Sequence, residues 1–246
     1  MIENILNSWR DYASYMGSEV YNRNDCLFIV NNDSKISCDF SNSVVCKNNE
    51  NLLDIDLKNI FKTRIIQSYT ILTNGQKRAL DVNSEKMASL MVLQHNNFKK
   101  IADMTDFSDS VTRELALNEL DSFTDIVFDA FDYDKKNIAD SLGFYKTGFK
   151  SGMVRFYGII KEKKLVSVVL VHRSGNKSLY GLELVATSKQ FQGKGYSKLL
   201  LTQVLEQLFV DNPEAIWLFA IEGSIAENLY KKIGFLPLGR ILISKL

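Results

Sequence analysis

A glycine-containing turn between a strand-like segment and a long helical segment constrains this chain more than any other feature. The stretch reads VATSKQFQGKGYSKLLLTQVLEQLF, residues 185–209, with Gly193 and Gly195 near its centre. Apolar residues after the glycines recur at helical spacing, so we expect a helix directly behind the turn. The first N–H groups of a helix lack acceptors within it, and glycine lets a ligand approach the backbone closely. Because the turn holds no carboxylate, it predicts a site for an anion such as a phosphate.

Two familiar phosphate-binding motifs do not describe this turn. The P-loop requires the spacing GxxxxGK[ST], which does not occur in the sequence. The dinucleotide fingerprint GxGxxG needs a third glycine where Lys198 stands, and it opens a parallel β-α-β unit. Here the preceding apolar segments are joined by KEKK and RSGNK, short loops that are typical of antiparallel hairpins. A glycine turn alone fits close helix packing as well as phosphate binding, so its function depends on the rest of the chain.

The N-terminal part of the chain reads as an α/β domain without a catalytic motif. It opens with an amphipathic helix that carries Ile5, Trp9, Tyr12 and Met16 at spacings of three and four. Short apolar segments separated by Asn, Asp and Ser predict strands, and one longer segment predicts a helix. The predicted strands cover residues 26–30, 35–40, 43–47, 64–72 and 87–93, and the predicted helix covers residues 52–61.

A polar, turn-rich segment at residues 103–112 predicts a boundary between a domain of residues 1–104 and one of residues 105–246. Beyond it, the order is helices, three antiparallel strands, helix, strand, helix and closing strand. The last helix shows a capping-box pattern from Ser224 to Glu227. Apart from the helix behind the glycines, the predicted elements cover residues 117–131, 154–187, 216–222, 224–234 and 235–246. The fold class is α/β in the α+β sense, a mixed and mostly antiparallel sheet flanked by helices.

Charge and cysteine content exclude several functional classes. The formal net charge is +1, which gives no bulk attraction to nucleic acid or membrane. No apolar stretch reaches the roughly 18 residues that span a bilayer. The two histidines and three cysteines show no zinc-ligand spacing, so we expect no metal site. We expect Cys26, Cys38 and Cys46 to be reduced structural residues, and from this a cytoplasmic location.

Two motifs of the C-terminal part resemble those of the GNAT (general N-acetyltransferase) superfamily. The glycine turn resembles motif A, [Q/R]-x-x-G-x-[G/A], in two registers. QFQGKG at residues 190–195 matches every position, whereas QGKGYS at residues 192–197 ends in serine. We prefer the second register, which sets SKLLL where the family's helix starts and VAT where its fourth strand ends. AENLYKKIGF at residues 226–235 resembles motif B, A-x-x-L-Y-x-x-x-G-F, at every position. Gly223 replaces the family's usual Asn, so we expect a side-chain contact at that helix start to be absent.

The resemblance implies an acetyl-CoA site in an opening between the fourth and fifth strands of the fold. In this family a β-bulge in the fourth strand leaves backbone groups that pair with the pantetheine arm. The fourth strand corresponds here to LYGLELVAT, residues 179–187. The implied contacts to the bound molecule are Leu184, Val185, Ala186, Thr187, Gln192, Gly193, Lys194, Gly195, Tyr196, Ser197 and Lys198.

The resemblance also places catalytic groups around this opening. Tyr230 stands where the family has the acid that protonates the departing thiolate, although its helix position also suits a core residue. Glu183 on the fourth strand and Glu222 at the end of the fifth are candidate bases for the acceptor amine. A Glu at a strand end is, however, more often a solvated surface group. We expect His172 to pack or to face solvent at the end of its strand rather than to take part in catalysis.

The sequence thus predicts an acetyl-CoA-dependent N-acetyltransferase that uses no metal and acts on a small-molecule or peptide amine. Two alternatives share the fold, namely a catalytically silent acyl-CoA-binding regulatory module and an aminoacyl or other acyl transferase. We expect no nucleic-acid or membrane partner, and a monomer or homodimer. The motifs cover about residues 115–246, so residues 1–104 stay unassigned or form a degenerate repeat of the same fold, as in tandem members of the superfamily.

Overall fold

The computed structural model describes residues 1–23, 25–31, 42–46, 67–72, 85–100, 107–176 and 178–245. The helices in these residues are α1 (Ile2–Tyr15), α2 (Leu120–Phe131), α3 (Ile138–Lys150), α4 (Tyr196–Phe209) and α5 (Ile225–Ile233). The strands are β1 (Glu19–Arg23), β2 (Cys26–Val30), β3 (Asn42–Cys46), β4 (Gln67–Leu72), β5 (Glu85–Leu93), β6 (Ser110–Glu114), β7 (Val154–Lys161), β8 (Lys164–Arg173), β9 (Leu179–Thr187), β10 (Ala215–Ile221) and β11 (Leu236–Lys245).

The mixed, mostly antiparallel sheet flanked by helices confirms the predicted fold class. The strands form one continuous sheet in the order β1-β2-β3-β4-β11-β5-β10-β9-β8-β7-β6. Its neighbours are antiparallel except for β3 with β4 and β9 with β10. The strand predicted at residues 35–40 and the helix predicted at residues 52–61 lie outside the described residues. Strand β6 went unpredicted because its alternating polar sequence SVTRE overlaps the segment interpreted as a boundary.

Strand β5 lies between the last two strands of the chain rather than beside its own sequence neighbours. It pairs with β11 on one side and with β10 on the other, both antiparallel. Strand β11 in turn pairs with β4, so strands from the two parts of the chain interlock at the centre of the sheet. The parallel pairs β3–β4 and β9–β10 stand at matching positions on either side of this centre. The division at residue 104 stays a prediction, and the sheet runs continuously across it.

Helices cover both faces of the sheet and divide its core in two. On one face, α1, α2 and α3 pack on alternate residues of the strands, among them Val168, Leu170 and Trp217. On the other face, α4 and α5 pack on the intervening residues, among them Val169 and Leu218. This alternation follows from the period of two along a strand. The predicted amphipathic helix α1 buries Ile5, Trp9, Tyr12 and Ala13, with Met16 directly behind it.

Cys26 and Cys46 form a disulfide, so the expectation of reduced cysteines is wrong for this pair. The two residues lie directly opposite each other in the antiparallel β2–β3 register, with their Cα atoms 4.4 Å apart. That separation is within the range that a disulfide spans. Sequence spacing does not reveal strand register, which is why the pairing was missed. Cys38 lies outside the described residues, and the cytoplasmic location stays a prediction that the cysteines no longer support.

Candidate active site

Strands β9 and β10 pair at one end and separate at the other. Their parallel pairing covers only residues 179–181 with residues 215–217. Beyond it, β9 contains a bulge, because Val168 and Leu170 of β8 pair with Ala186 and Glu183 of β9. Leu184 within the bulge has a φ of 53°, a left-handed conformation uncommon for leucine. A bulge leaves backbone groups outside the ladder, so this opening can take an extended ligand as an added strand.

The glycine turn lies between the end of β9 and the start of α4. Gly193 and Gly195 have φ values of 74° and 87°, which explains why glycine occupies both positions. The first hydrogen bond of the helix runs from the Leu199 N–H to the Gly195 carbonyl at 3.0 Å. The N–H groups of the three residues before Leu199 therefore have no acceptor within the helix. Their dipoles favour an anion at this helix start.

A cleft of about 630 Å³ joins this turn to α5. Lys198 on α4 and Lys232 on α5 both line it, so the cleft carries two positive charges beside the helix N-terminus. The full lining is Gly193, Gly195, Ser197, Lys198, Ile225, Asn228, Leu229 and Lys232. Sequence reasoning missed Asn228 and Lys232, although their spacing of four residues puts them on one face of the motif B helix. The charge and shape suit a phosphorylated ligand.

Several residues predicted to contact the ligand have side chains that hydrogen-bond within the turn. The Gln192 amide donates to the Thr187 carbonyl at 3.0 Å, and the hydroxyls of Thr187 and Ser197 hydrogen-bond at 2.8 Å. The Lys194 ammonium donates to the Gln190 carbonyl at 2.9 Å and so turns back over the loop. The ring of Tyr196 is buried, so this residue offers only its backbone to the turn.

Tyr230 and Glu183 lie close enough for the charge of Glu183 to affect the Tyr230 phenol. Tyr230 is buried on α5, and Glu183 is buried on β9 directly before Leu184 of the bulge. Burial raises the pKa of the Tyr230 phenol well above its usual range, and the negative charge of Glu183 raises that pKa further. The phenol is therefore protonated at neutral pH and can donate a proton, whereas the carboxylate can accept one. His172 on β8 adds an imidazole whose Nε2 lies 3.8 Å from Glu183 Oε1.

Glu222, the other candidate base, is held by Arg240 of β11. The Arg240 guanidinium donates to both carboxylate oxygens, at 2.6 and 2.7 Å. These hydrogen bonds lower the pKa of Glu222. Because both oxygens are engaged, Glu222 is poorly placed to take a proton from an amine. Of the two carboxylates, Glu183 is the one whose charge acts on Tyr230.

The N-terminus of α5 is fixed by Glu227 rather than by the family's usual asparagine. The Ser224 hydroxyl accepts from the Glu227 N–H, as the capping-box pattern predicted. The Glu227 carboxylate accepts from the Gly223 N–H at 2.9 Å and from the Ser89 hydroxyl of β5 at 2.6 Å. The Ser89 hydrogen bond is the largest of the effects that lower the pKa of Glu227 to about 2. A residue of β5 thus positions the helix that carries Tyr230.

The residues that the structure describes contain no cluster of three His, Cys, Asp or Glu side chains arranged to hold a metal ion. Among the same residues, no helix combines the length and the apolar character needed to cross a bilayer.

Residues 136–244 match the family model of the acetyltransferase (GNAT) domain. Among solved structures, a GCN5-related N-acetyltransferase from Kribbella flavida is 12% identical with a TM-score of 0.68, over 99% of this chain and 95% of that one. A functionally unknown conserved protein from Staphylococcus epidermidis is 12% identical with a TM-score of 0.65, over 94% of each chain. A tandem GNAT protein from the clavulanic acid biosynthesis pathway is 10% identical with a TM-score of 0.59, over 90% of this chain and 78% of that one. Among curated proteins, none matches the sequence.

At such identities the structural likeness shows the fold alone, whereas the family match rests on sequence. The two agree with each other and with the motifs around the glycine turn and Tyr230. Residues 136–244 therefore match a GNAT acetyltransferase domain in sequence, and nearly the whole chain has the fold of GNAT proteins.

Proposed function

We propose that the protein is an acetyl-CoA-dependent N-acetyltransferase that transfers an acetyl group to a primary amine in a ternary complex. The observation that carries this proposal is the combination of a buried carboxylate and a buried phenol, Glu183 and Tyr230, with the bulge of β9 and a cationic cleft at the glycine turn. The acceptor is a small-molecule or peptide amine. We further propose a cytoplasmic location, and a monomer or homodimer.

The glycine turn would hold the pyrophosphate of acetyl-CoA. The backbone N–H groups of Tyr196, Ser197 and Lys198 and the two lysines of the cleft supply donors and positive charge. At Gly193, a Cβ would meet no atom within 4 Å, so the backbone there is open to a ligand. Leu184 and Val185, which fall outside the β8–β9 register, would offer their backbone groups to the pantetheine arm next to Ala186. Acetyl-CoA supplies the acetyl group as a thioester.

Glu183 and Tyr230 would divide the proton transfers between them. An amine attacks only as the neutral base, so a carboxylate that takes its proton increases the reactive fraction. Glu183 is the base in this proposal, acting directly or through a water. Tyr230 is the acid that would donate to the departing sulfur; its raised pKa keeps the phenol protonated at neutral pH but also makes it a weaker acid.

Thermal unfolding of the full chain with and without acetyl-CoA tests the binding step. A ligand at about 100 times its dissociation constant adds roughly 2.7 kcal/mol to the free energy of unfolding. For a chain of this size we expect the Tm to rise by about 5–10 °C. An unmoved Tm at millimolar acetyl-CoA would contradict the cosubstrate assignment.

Release of free thiol from acetyl-CoA in the presence of an amine pool tests the transfer step. We expect thiol release together with acetylated amines, detected by mass spectrometry. A Tm shift without thiol release would instead identify a silent acyl-CoA-binding module. Thiol release with a longer acyl donor but not with acetyl-CoA would identify another acyl transferase.

A further inference from the structure

His172 fills a space in the core that exists because its strand partner, Gly181, has no side chain. The imidazole stacks on Tyr12 of α1 with ring centroids 4.3 Å apart, and it packs edge-on to Trp217 of β10 at 5.3 Å. Its partner in the β8–β9 register is Gly181, where a Cβ would collide with the imidazole ring. Gly181 also belongs to the last residue pair that joins β9 to β10. His172 therefore lies at the closed end of the opening.

The two ring nitrogens of His172 have no hydrogen-bond partner within the part of the chain that the structure describes. The charged group that faces the ring is the Glu183 carboxylate, with Nε2 3.8 Å from Oε1. Burial lowers the pKa of His172 to about 3. The ring is therefore neutral at physiological pH, with one N–H donor and one bare nitrogen. An N–H···O hydrogen bond spans 2.7–3.2 Å, so the gap closes with less than about 1 Å of movement.

We propose that His172 is a positioning residue for the base: its Nε2–H donates to the Glu183 carboxylate, favours the ionised form and turns the second carboxylate oxygen toward the opening. Hydrogen bonds to a charged carboxylate stabilise that charge, and catalytic hydrogen bonds often shorten only when substrate binds. This inference rests on the proposed N-acetyltransferase function and identifies the residue that positions Glu183, the base of that reaction. Because Tyr12 stacks on the imidazole, α1 of the N-terminal part takes part in orienting a base in the C-terminal part.

Among the residues that the structure describes, the groups packed around the Glu183–His172 pair include few others that titrate near neutral pH. Helix α1 presents Tyr12, β10 presents the uncharged Trp217, and α5 presents Tyr230, whose pKa is raised. Helix α2 contacts both β8 and β9, and its buried residues include no titratable side chain. The acid limb of a pH–rate profile should therefore report the Glu183–His172 pair.

The first test compares two substitutions at His172 in steady-state assays with acetyl-CoA and an accepted amine. His172→Phe keeps an aromatic ring against Tyr12 but removes the N–H donor. We expect its kcat to fall about tenfold or more and the midpoint of the acid limb of kcat/KM to rise by about one pH unit. His172→Gln places an amide donor near the position of Nε2 and should return the midpoint toward that of the wild type.

Affinity for coenzyme A, measured by calorimetry, should be unchanged in both variants because His172 does not line the cleft. His95→Phe is the matched control, since His95 stacks on Phe209 and lies outside the site. An acid limb in His172→Phe that coincides with that of the wild type would overturn the proposal. Failure of His172→Gln to move the midpoint back would also count against the donor role.

The second test is an NMR measurement on the protein without substrates, so it does not require enzymatic activity. The chain has only two histidines, so ¹⁵N-histidine labelling gives two imidazole spin systems, and His172→Phe identifies the one to be followed. We expect His172 to be neutral with its proton on Nε2 between pH 5 and 8, and we expect Glu183→Gln to shift that nitrogen resonance. A proton on Nδ1 would overturn the proposal, because a bare Nε2 cannot donate. If no amine is acetylated, the proposed function is wrong. The tautomer of His172 would still show whether its Nε2–H can donate to Glu183.

Discussion

Gly193 and Gly195 differ in their surroundings, although both have left-handed backbone conformations. A Cβ at Gly193 would meet nothing within 4 Å, whereas a Cβ at Gly195 would lie 3.1 Å from the Phe107 ring. A substitution at Gly195 therefore changes packing and charge together. Gly193 permits a change in charge alone, because Asn and Asp have the same shape and both tolerate a left-handed backbone.

We predict that Gly193→Asp binds acetyl-CoA about tenfold more weakly than Gly193→Asn, a difference of about 1.4 kcal/mol in calorimetry. The added carboxylate repels a phosphate at the helix start, and the difference should grow at low salt. Gly143→Asp on α3 is the control, because its Cβ also meets no atom within 4 Å and lies outside the cleft. Equal affinities of the two Gly193 variants would contradict the proposal that this turn binds a phosphate of acetyl-CoA.

We predict that Tyr230→Phe lowers kcat by about 10²–10⁴-fold while leaving the affinity for coenzyme A unchanged, because only a hydroxyl is lost. The raised pKa of Tyr230 means that its acid form persists as pH rises and is lost only above the ordinary value of 10. The kcat of the wild type should consequently show no alkaline decline from this group below pH 10. An unchanged kcat in Tyr230→Phe would make this tyrosine a core residue.

At the scale of elements, helix α5 is positioned by β5, a strand far from it in the sequence. Ser89 of β5 donates to the Glu227 carboxylate, which also accepts from Gly223 at the helix start. The helix that carries Tyr230 and lines the cleft with Lys232 is thereby fixed to the centre of the sheet. Because this anchor includes an ionised carboxylate, its contribution to stability depends on pH.

We predict that Ser89→Ala lowers the free energy of unfolding at pH 7 by about 1.5–3 kcal/mol, as expected for a hydrogen bond to a charged group. The folded-state pKa of Glu227 is about 2, below its ordinary value of 4.5. The stabilisation is therefore complete above pH 4.5 and is lost as pH falls toward 2. Urea unfolding from pH 7 to pH 3 should show the difference between Ser89→Ala and the wild type shrinking.

Ser8→Ala is the control for this pH dependence. Ser8 is also a buried serine, and its hydroxyl accepts from the Trp217 indole N–H at 3.1 Å. That donor does not titrate in this range, so its loss should cost a similar free energy at every pH. If the loss of unfolding free energy in Ser89→Ala is also independent of pH, the hydrogen bond to Glu227 does not account for that loss.

Elements with local signals were predictable from the sequence, whereas contacts between distant segments were not. Helices α4 and α5 follow from apolar spacing, from glycine at the turn and from the Ser224 cap. The hairpin between β7 and β8 follows from the short KEKK loop, whose Glu162 and Lys163 have positive φ values. The approach of His172 to Glu183 depends on strand register and on the bulge, neither of which a single sequence shows. The pairing of Glu222 with Arg240 likewise requires knowing that β11 lies beside β5.

At the scale of the whole molecule, the two parts of the chain complete each other's sheet. Strand β5 fills the place between β10 and β11, and β11 covers the open side of β4. The candidate active site therefore has supporting contacts from both parts, since Ser89 and Tyr12 come from the first. A unit made of residues 105–246 alone would lack a central strand.

We predict that residues 105–246 expressed alone show no cooperative thermal unfolding and no Tm shift with acetyl-CoA. Co-expression with residues 1–104 as a separate chain should restore both, because the strand contacts do not require a covalent link. Copurification and calorimetry measure the outcome. A stable, acetyl-CoA-binding monomer of residues 105–246 would mean that β10 and β11 can close the gap without β5.

The position of β5 and β11 also determines when this protein can fold during its synthesis. Strands β4 and β5 leave the ribosome early, but their shared neighbour β11 begins only at residue 236. At about 5–20 residues per second, the intervening chain of roughly 140 residues takes about 7–30 s to synthesise. During that interval β4 and β5 have exposed hydrogen-bonding edges, which can pair with other nascent chains. Slower translation between residues 94 and 235 should therefore increase aggregation and the demand for chaperones.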